Sequence, residues 1–258
     1  MTNSLKVGLV QYSPAWEDPA GSIKIIEQLL SNNANNDYNL LIFPELTLTG
    51  FTFNSARLAE DIDGISTKYF IKLAQKLNSD ILAGVIESDE ESYYNCLIHI
   101  DKKGLIIARY RKIHPFSFAG ENKYYTSSNE PIITKINDIK IGLSICYDLR
   151  FPELYRFYAK EKVDILVNIA NWPNKRIEHW KLLTKARALE NLSYFIGTNR
   201  VGVDPSNEYS GCSTIVNPLG EPITEYSNKQ EIISAQIDLK LLNTTRSQFT
   251  FLNDIKLI

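Results

Sequence analysis

The segments of this chain that read as β-strands are apolar along nearly their whole length. They are 5–11, 39–45, 81–87, 94–100, 140–146, 163–170, 193–200, 212–217 and 231–238. Strands of this kind are covered on both faces, whereas a strand with one face in water alternates apolar and polar residues. The pattern therefore predicts sheets that other layers of the protein enclose.

Helical patterns lie between these strands. The predicted helices are 20–34, 66–78, 151–161 and 177–192. Alternation of strand and helix without a linker rich in proline, glycine or serine predicts a single α/β domain. Two hairpins are predicted, with turns at 101–104 and 217–220. The terminal segment 246–258 is too apolar for a free end, and we expect it to pack against the core or a second subunit.

Charge and composition exclude several function classes. The 258 residues are 44% hydrophobic and 22% charged, with a net charge of −2, so no basic field is available to bind nucleic acid or anionic lipid. No stretch approaches the roughly 20 apolar residues of a membrane helix. Pro14 and Glu17 interrupt the N-terminal region before it reaches the length of a signal peptide, which predicts a cytoplasmic protein.

The cysteines and histidines do not form a metal-binding pattern. Cys96, Cys146 and Cys212 are far apart and include no CxxC pair, and the three histidines show no HExxH spacing. These features favour neither a disulfide framework nor a zinc site. Phosphate-binding GxGxxG and GxxxxGK[ST] loops are also absent from the sequence. We therefore expect no metal and no cofactor.

Cys146 lies in the stretch IGLSICYDLRFPE, at the end of an apolar strand. A helix with Pro152 in its first turn begins a few residues later. The cysteine is therefore expected at a strand-to-helix turn, which exposes a side chain and directs backbone N–H groups at a ligand. The helix N-terminus and any nearby cation would favour the thiolate. The alternative is a small buried thiol that only packs.

A nucleophilic cysteine needs a base, and the sequence offers several. His114 and His179 could each act as one, because the partners of a catalytic cysteine are neighbours in space only. Glu45 follows the buried strand NLLIFP, where an unpaired acid is rare. Lys112 follows the strand GLIIARY in the same manner. Acid, amine and thiol thus each follow an apolar strand, where open α/β sheets build their sites.

Three motifs in order, FPELTLTG, YRKIHPF and ICYDLRFPE, resemble those of the nitrilase, or carbon–nitrogen hydrolase, superfamily. The similarity extends from VGLVQYSP through NWP and GCSTIVNPLGE to FTFLND. The chain is most similar to the omega-amidase branch, whose members hydrolyse the terminal amide of 2-oxo acid amides. The resemblance implies a Glu–Lys–Cys triad of Glu45, Lys112 and Cys146, with Glu121 of SFAGENKYY as a second acid.

The resemblance also implies a role for each residue in amide hydrolysis. Cys146 would attack the carboxamide carbon, while Glu45 would take the thiol proton and pass it to the leaving ammonia. Lys112 and the backbone N–H of Tyr147 would hold the oxyanion. Glu121 would orient Lys112 and the incoming water. Its alternative is an exposed loop acid.

Substrate-binding residues are predicted near the nucleophile. A 2-oxo acid amide carries a carboxylate remote from the scissile bond, and Arg150 could hold it with a bidentate fork. The alternative is that Arg150 pairs with Asp148 or Glu153. Trp172 could form a flat wall over the substrate or belong to the core, and Arg176 could add charge.

The resemblance further implies a four-layer α-β-β-α sandwich, one carbon–nitrogen hydrolase domain over 1–258, and a homodimer paired through helical faces. The helices over 151–161 and 177–192 would supply that surface. The binding partner would be a small-molecule amide substrate. The alternative is another substrate of the same superfamily, such as deaminated glutathione, a nitrile or an N-carbamoyl compound. A non-catalytic redox sensor based on Cys146 is a further alternative. Cys96 and Cys212 are interpreted as packing residues within hairpin strands.

Overall fold

The computed structural model describes residues 4–33 and 37–256. Its helices are α1 (Pro19–Ser31), α2 (Ser55–Leu58), α3 (Ile65–Leu77), α4 (Pro152–Lys160), α5 (Ile177–Asn191) and α6 (Leu239–Gln248). Its strands are β1 (Ser4–Gln11), β2 (Leu40–Ile42), β3 (Asp80–Asp89), β4 (Ser92–Ile100), β5 (Ile106–Arg111), β6 (Ile133–Ile136), β7 (Ile139–Ile145), β8 (Ile165–Ala170), β9 (Tyr194–Asn199), β10 (Val201–Val203), β11 (Glu208–Ser210), β12 (Thr214–Val216) and β13 (Glu231–Asp238).

Most strands belong to two mixed sheets. The first has the order β13-β1-β2-β3-β4-β5, and the second has the order β12-β9-β8-β7-β6. The neighbours β1, β2 and β3 run parallel, as do β7, β8 and β9, while the outer strands of both sheets are antiparallel. Strands β10 and β11 form a separate hairpin.

Three hydrophobic clusters define the layers. One lies between the sheets and joins, for example, Leu9 of β1 to Val167 of β8. The second packs α1 and α3 on the outer face of the first sheet, and the third packs α4 and α5 on the outer face of the second. Because each sheet is thus covered on both faces, its strands carry the continuous apolar runs seen in the sequence. The predicted α/β four-layer α-β-β-α sandwich is confirmed.

The four predicted helices correspond to α1, α3, α4 and α5, with ends that differ by at most three residues. Residue 34, the predicted end of the first helix, lies outside the described residues. Strand 39–45 is shorter than predicted, because the chain leaves the sheet after Ile42 and Leu46 adopts a positive φ of 44°. The predicted strand 140–146 ends at Ile145.

The prediction that Cys212 lies within a hairpin strand is wrong. This cysteine precedes β12 with a φ of 59° and is buried in the third cluster, whereas Cys96 is buried in β4 as predicted. Beyond its turn, the hairpin at 217–220 has only a single bridge, from Val216 to Pro222.

The terminal segment 246–256 packs only in part. Its first residue, Arg246, donates to the backbone oxygens of Val163 and Leu192. Phe251, in contrast, is 61% exposed. Residues 257–258 of the predicted segment lie outside the described residues. Within the described part of the chain, every helix is too short or too polar to cross a membrane.

Candidate functional site

Glu45, Lys112 and Cys146 meet at one edge of the sandwich. They follow β2, β5 and β7, and the carboxyl ends of these strands lie at the same edge of the two sheets. The turn that carries Glu45 lies directly against β3, where a Cβ atom on Gly84 would come within 2.4 Å of the Leu46 nitrogen. Only glycine therefore fits at this position without moving the turn.

The Lys112 ammonium lies between two carboxylates. Its Nζ donates to Oε1 of Glu45 at 2.8 Å and to Oε1 and Oε2 of Glu121 at 3.0 and 2.9 Å. All three side chains are at most 1% exposed. Burial lowers the pKa of Lys112, but the carboxylates of Glu121 and Glu45 raise it, and the resulting pKa is well above the ordinary lysine value. Lys112 is therefore a permanent cation at this site.

Two asparagines that the sequence analysis did not select hold these carboxylates in place. Asn95 Nδ2 donates to Oε1 of Glu45 at 2.7 Å and to Oε1 of Glu121 at 3.0 Å. The backbone N–H of Asn171 donates to Oε2 of Glu45 at 2.8 Å. Both are polar residues in or directly after an apolar strand, and this was the signal available in the sequence. They satisfy acceptors whose burial would otherwise be costly.

Cys146 occupies a strand-to-helix turn, as expected. It directly follows β7 with a φ of 46°, a conformation that costs free energy for any residue with a Cβ. Its side chain is partly exposed to a cavity, whereas the next turn residues, Asp148 and Leu149, are buried. The turn thus directs the thiol toward the cavity, while Asp148 and Leu149 anchor it in the core.

The expected preference for the thiolate is wrong for this site. Burial, followed by the negative charge of Glu45, raises the pKa of the Cys146 thiol well above its ordinary value, and Lys112 lowers that pKa by less. Glu45 and Glu121, which the resemblance already placed beside Lys112, oppose the effect of the lysine charge on the thiol. Cys146 therefore rests as a thiol, and a neighbouring base has to remove its proton during reaction.

Raising the pH above about 8.5, the pKa of an unfolded cysteine, is expected to destabilise the fold. Burial raises the pKa of Cys96, Cys146 and Cys212 in the folded chain, so the unfolded chain loses these protons first. The unfolded state then binds fewer protons, and the free energy of unfolding falls by up to about 1.4 kcal/mol per pH unit for each thiol.

Urea unfolding from about pH 7 to about pH 9 measures this slope where unfolded tyrosines, whose pKa is about 10, are still mostly protonated. The Cys146→Ala variant should show a shallower slope than the wild type. Equal slopes would mean that the pKa of Cys146 is the same in the folded and the unfolded chain, which would contradict the raised pKa.

A cavity of about 340 Å³ opens at Cys146. Lys112, Arg150, Lys175 and Arg176 are its cationic lining residues, and no acidic side chain lines it among the described residues. Tyr147, Trp172 and other aromatic residues supply much of its remaining wall. An apolar wall with a few convergent charges is typical of a small-molecule site, and the sign of these charges suits an anionic ligand.

The two arginines lie against aromatic rings at the cavity wall. The guanidinium carbon of Arg150 is 4.9 Å from the ring centre of Trp172, and that of Arg176 is 5.2 Å from the ring of Phe116. Burial, followed by the positive charge of Arg176, lowers the pKa of Arg150. Among the described residues Arg150 pairs with neither Asp148 nor Glu153, so an anion between the arginines would relieve their repulsion.

The histidines are engaged away from the thiol. His114 Nδ1 lies 2.8 Å from Oδ1 of Asp148, and His179 Nδ1 lies 3.1 Å from Nη2 of Arg150. The charges that act on Cys146 come from Glu45, Lys112 and Glu121. This arrangement favours a carboxylate base over a histidine. In residues 4–33 and 37–256, no three histidine, cysteine or acidic side chains are grouped to hold a metal.

Comparison with known proteins gives matches along nearly the whole chain. The family model for carbon–nitrogen hydrolases matches residues 6–247. The 2-oxoglutaramate amidase of Bacillus subtilis (strain 168) is 32% identical over 252 residues, which are 97% of each chain. Omega-amidase YafV of Escherichia coli (strain K12) is 30% identical over 247 residues, 95% of this chain and 94% of that one.

Among solved structures, the CN-hydrolase superfamily protein XC1258 of Xanthomonas campestris has a TM-score of 0.93 at 32% identity. The alignment covers 99% of this chain and 98% of the Xanthomonas chain. The similarity therefore holds for the fold as well as for the sequence.

Proposed function

This chain belongs to the carbon–nitrogen hydrolase family, and we propose that it hydrolyses the terminal carboxamide of small 2-oxo acid amides, such as 2-oxoglutaramate and 2-oxosuccinamate, to the 2-oxo acid and ammonia. The amidases among its relatives support a hydrolase that acts on amides. The observation that carries the proposal is one cavity with a thiol, a carboxylate-bound lysine and two arginines that pair with no acidic side chain of the described residues.

In the proposed acylation step, the Cys146 sulfur attacks the carboxamide carbon while Glu45 takes the thiol proton. The carbonyl oxygen becomes an oxyanion that Lys112 and the backbone N–H of Tyr147 stabilise; one such donor is typically worth about 3–4 kcal/mol of barrier. Glu45 then gives its proton to the amide nitrogen. The C–N bond breaks, ammonia leaves, and a thioester on Cys146 remains.

In the proposed deacylation step, a water molecule attacks the thioester carbon. Glu45, again a carboxylate, takes a proton from the water, and the C–S bond breaks to release the 2-oxo acid. The Cys146 sulfur recovers its proton from Glu45. Glu121 orients Lys112 and the incoming water, a role that suits a carboxylate with both oxygens on the Lys112 ammonium.

The remote carboxylate of the substrate is proposed to lie between Arg150 and Arg176, with Trp172 as a flat wall. Arg150 already lies over the Trp172 ring, and little rotamer entropy would be lost when it binds a carboxylate. The charge balance supports this placement, because the cavity lining within 4–33 and 37–256 includes cationic side chains and no carboxylate.

Replacing Arg150 with alanine should raise KM for 2-oxoglutaramate about tenfold or more, because a charged hydrogen bond is lost. The kcat should change little, since Arg150 is remote from the scissile bond in this placement. Michaelis kinetics on 2-oxoglutaramate and on a neutral aliphatic amide of similar length measure the effect. Equal losses on the two substrates would refute the proposed carboxylate contact.

An ammonia-release panel tests the proposed substrate class. It should cover 2-oxoglutaramate, 2-oxosuccinamate, deaminated glutathione, glutamine, asparagine, an N-carbamoyl amino acid and an aliphatic nitrile. We expect kcat/KM to be highest for the two 2-oxo acid amides. A preference for any other member of the panel would assign this site to a different substrate of the same family.

We also propose that the chain forms a homodimer through the helical layer of α4 and α5. Leu182 and Leu189 of α5 are 68% and 52% exposed, and two turns of helix place them on one face. Exposed leucines on one helix face are common at interfaces between subunits. The proposal agrees with the resemblance to enzymes that pair in this way.

The Leu182→Glu variant is therefore expected to be a monomer in light scattering coupled to size-exclusion chromatography, because a buried unpaired charge opposes association. Leu105→Glu is a matched control, since Leu105 is 60% exposed in the turn between β4 and β5 and lies outside the proposed surface. Equal masses for wild type and Leu182→Glu would contradict the interface.

A further inference from the structure

Asp148, two residues after Cys146, is a fully buried carboxylate with four hydrogen-bond donors. Its Oδ2 accepts from the Tyr110 hydroxyl at 2.7 Å and from the Ile145 N–H at 2.8 Å. Its Oδ1 accepts from the backbone N–H and from Nδ1 of His114, at 3.0 and 2.8 Å. Each oxygen therefore has two donors, which stabilises the buried charge.

These donors come from both sides of the reacting groups. Tyr110 and His114 flank Lys112 by two residues on either side, whereas Ile145 directly precedes Cys146. Lys112 comes from the first sheet and Cys146 from the second. The Asp148 carboxylate is thus a direct connection between the two segments whose separation sets the position of thiol and ammonium.

The same carboxylate stabilises a strained backbone. Cys146 has a φ of 46°, and such conformations persist only where the surroundings hold them. The bond from the Ile145 N–H to Asp148 closes the turn around Cys146. Without it, the turn could relax toward ordinary dihedral angles and change the direction of the thiol.

We propose that Asp148 is a positioning residue, which holds the Cys146 turn against the Lys112 segment through Ile145 and His114. The inference rests on the proposed function for its kinetic readout. It gives His114 a role other than that of a base. The competing explanation is that His114 only packs, because its ring also stacks on Phe151 with centroids 3.7 Å apart.

A pair of variants at His114 separates these explanations. Both His114→Ala and His114→Asn remove the stacked ring, but the Asn Nδ2 can again donate to Asp148. Positioning predicts that His114→Ala lowers kcat about tenfold, from displacement of the reacting atoms, at nearly constant KM. It also predicts that His114→Asn recovers most of that loss. Equal kcat for the two variants would overturn the inference.

The Asp148→Asn variant tests the carboxylate itself. The amide NH₂ of asparagine replaces one of the two carboxylate oxygens and cannot accept a hydrogen bond. Depending on the orientation of the amide, the bond from the backbone N–H of Ile145 or that from the backbone N–H of His114 is therefore lost. We expect kcat to fall by about 100-fold. Tyr158→Phe is the stability control, because it removes a buried hydrogen bond from a hydroxyl to Leu143 of β7 without touching the turn.

A second readout does not depend on which amide is the substrate. Iodoacetamide carries a carbonyl that can bind next to Lys112, and alkylation of Cys146 can be followed by peptide mass spectrometry. We expect Asp148→Asn to slow this reaction about tenfold or more relative to Tyr158→Phe. An unchanged or faster rate in folded Asp148→Asn overturns the inference. Wild-type protein that is alkylated rapidly but releases no ammonia from any amide contradicts the proposed function alone.

Discussion

Replacing Cys146 with alanine is expected to reduce ammonia release by about 10⁴-fold or more, because without the sulfur no covalent intermediate can form. The fold should be retained. Alanine keeps the Cβ, so the strain of a positive φ at this position is unchanged, and the side chain is only partly buried. Initial rates on 2-oxoglutaramate and a thermal unfolding curve measure both effects.

The matched control is Cys212→Ala. Cys212 is a free thiol like Cys146, but it packs in the cluster under α5 and does not line the cavity. Its variant should retain kcat within a small factor. Turnover that survives in Cys146→Ala would exclude the proposed mechanism, whatever the control shows.

Replacing Lys112 with methionine should both abolish turnover and destabilise the protein. The side chains are similar in length, but Glu45 and Glu121 would then face each other without a cation, both fully buried. Removal of one partner from a buried ionic group typically costs about 3–5 kcal/mol of stability. Urea unfolding near neutral pH measures the loss, alongside kcat on 2-oxoglutaramate.

A second substitution tells the two effects apart. Adding Glu121→Gln to Lys112→Met removes one of the two repelling charges, so part of the lost stability should return. Activity should not return, because Lys112 is the proposed oxyanion donor. If the double variant were no more stable than Lys112→Met, the repulsion between Glu45 and Glu121 would not be the cause of the loss.

Glu45, Lys112 and Cys146 could be selected from the sequence because each follows an apolar strand, a place where ionisable groups require an explanation. The strand segments could also be predicted from the sequence, because strands that are buried on both faces carry continuous apolar runs. The order of the strands and the stacking of the two sheets could not be predicted from these apolar runs. They depend on pairings between distant segments, and the layered arrangement came from the family resemblance.

The residues that the sequence did not reveal act through space. Asn95 and Asn171 are 76 residues apart in the chain, yet both donate to the Glu45 carboxylate. The sequence offered Asp148 as a partner for Arg150, whereas in the structure its four donors belong to Tyr110, His114 and Ile145. The raised pKa of Cys146 has the same origin, because the carboxylate next to it is contributed by another sheet.

The central claim is a covalent thioester on Cys146, and rapid-quench mass spectrometry of the wild-type protein with 2-oxoglutaramate tests it most directly. The account predicts a transient species with the mass of the enzyme plus the substrate minus ammonia, and peptide mapping should place the acyl group on Cys146. The adduct should be absent from Cys146→Ala. Turnover of 2-oxoglutaramate without this adduct at any quench time, or an adduct on another residue, would contradict the account.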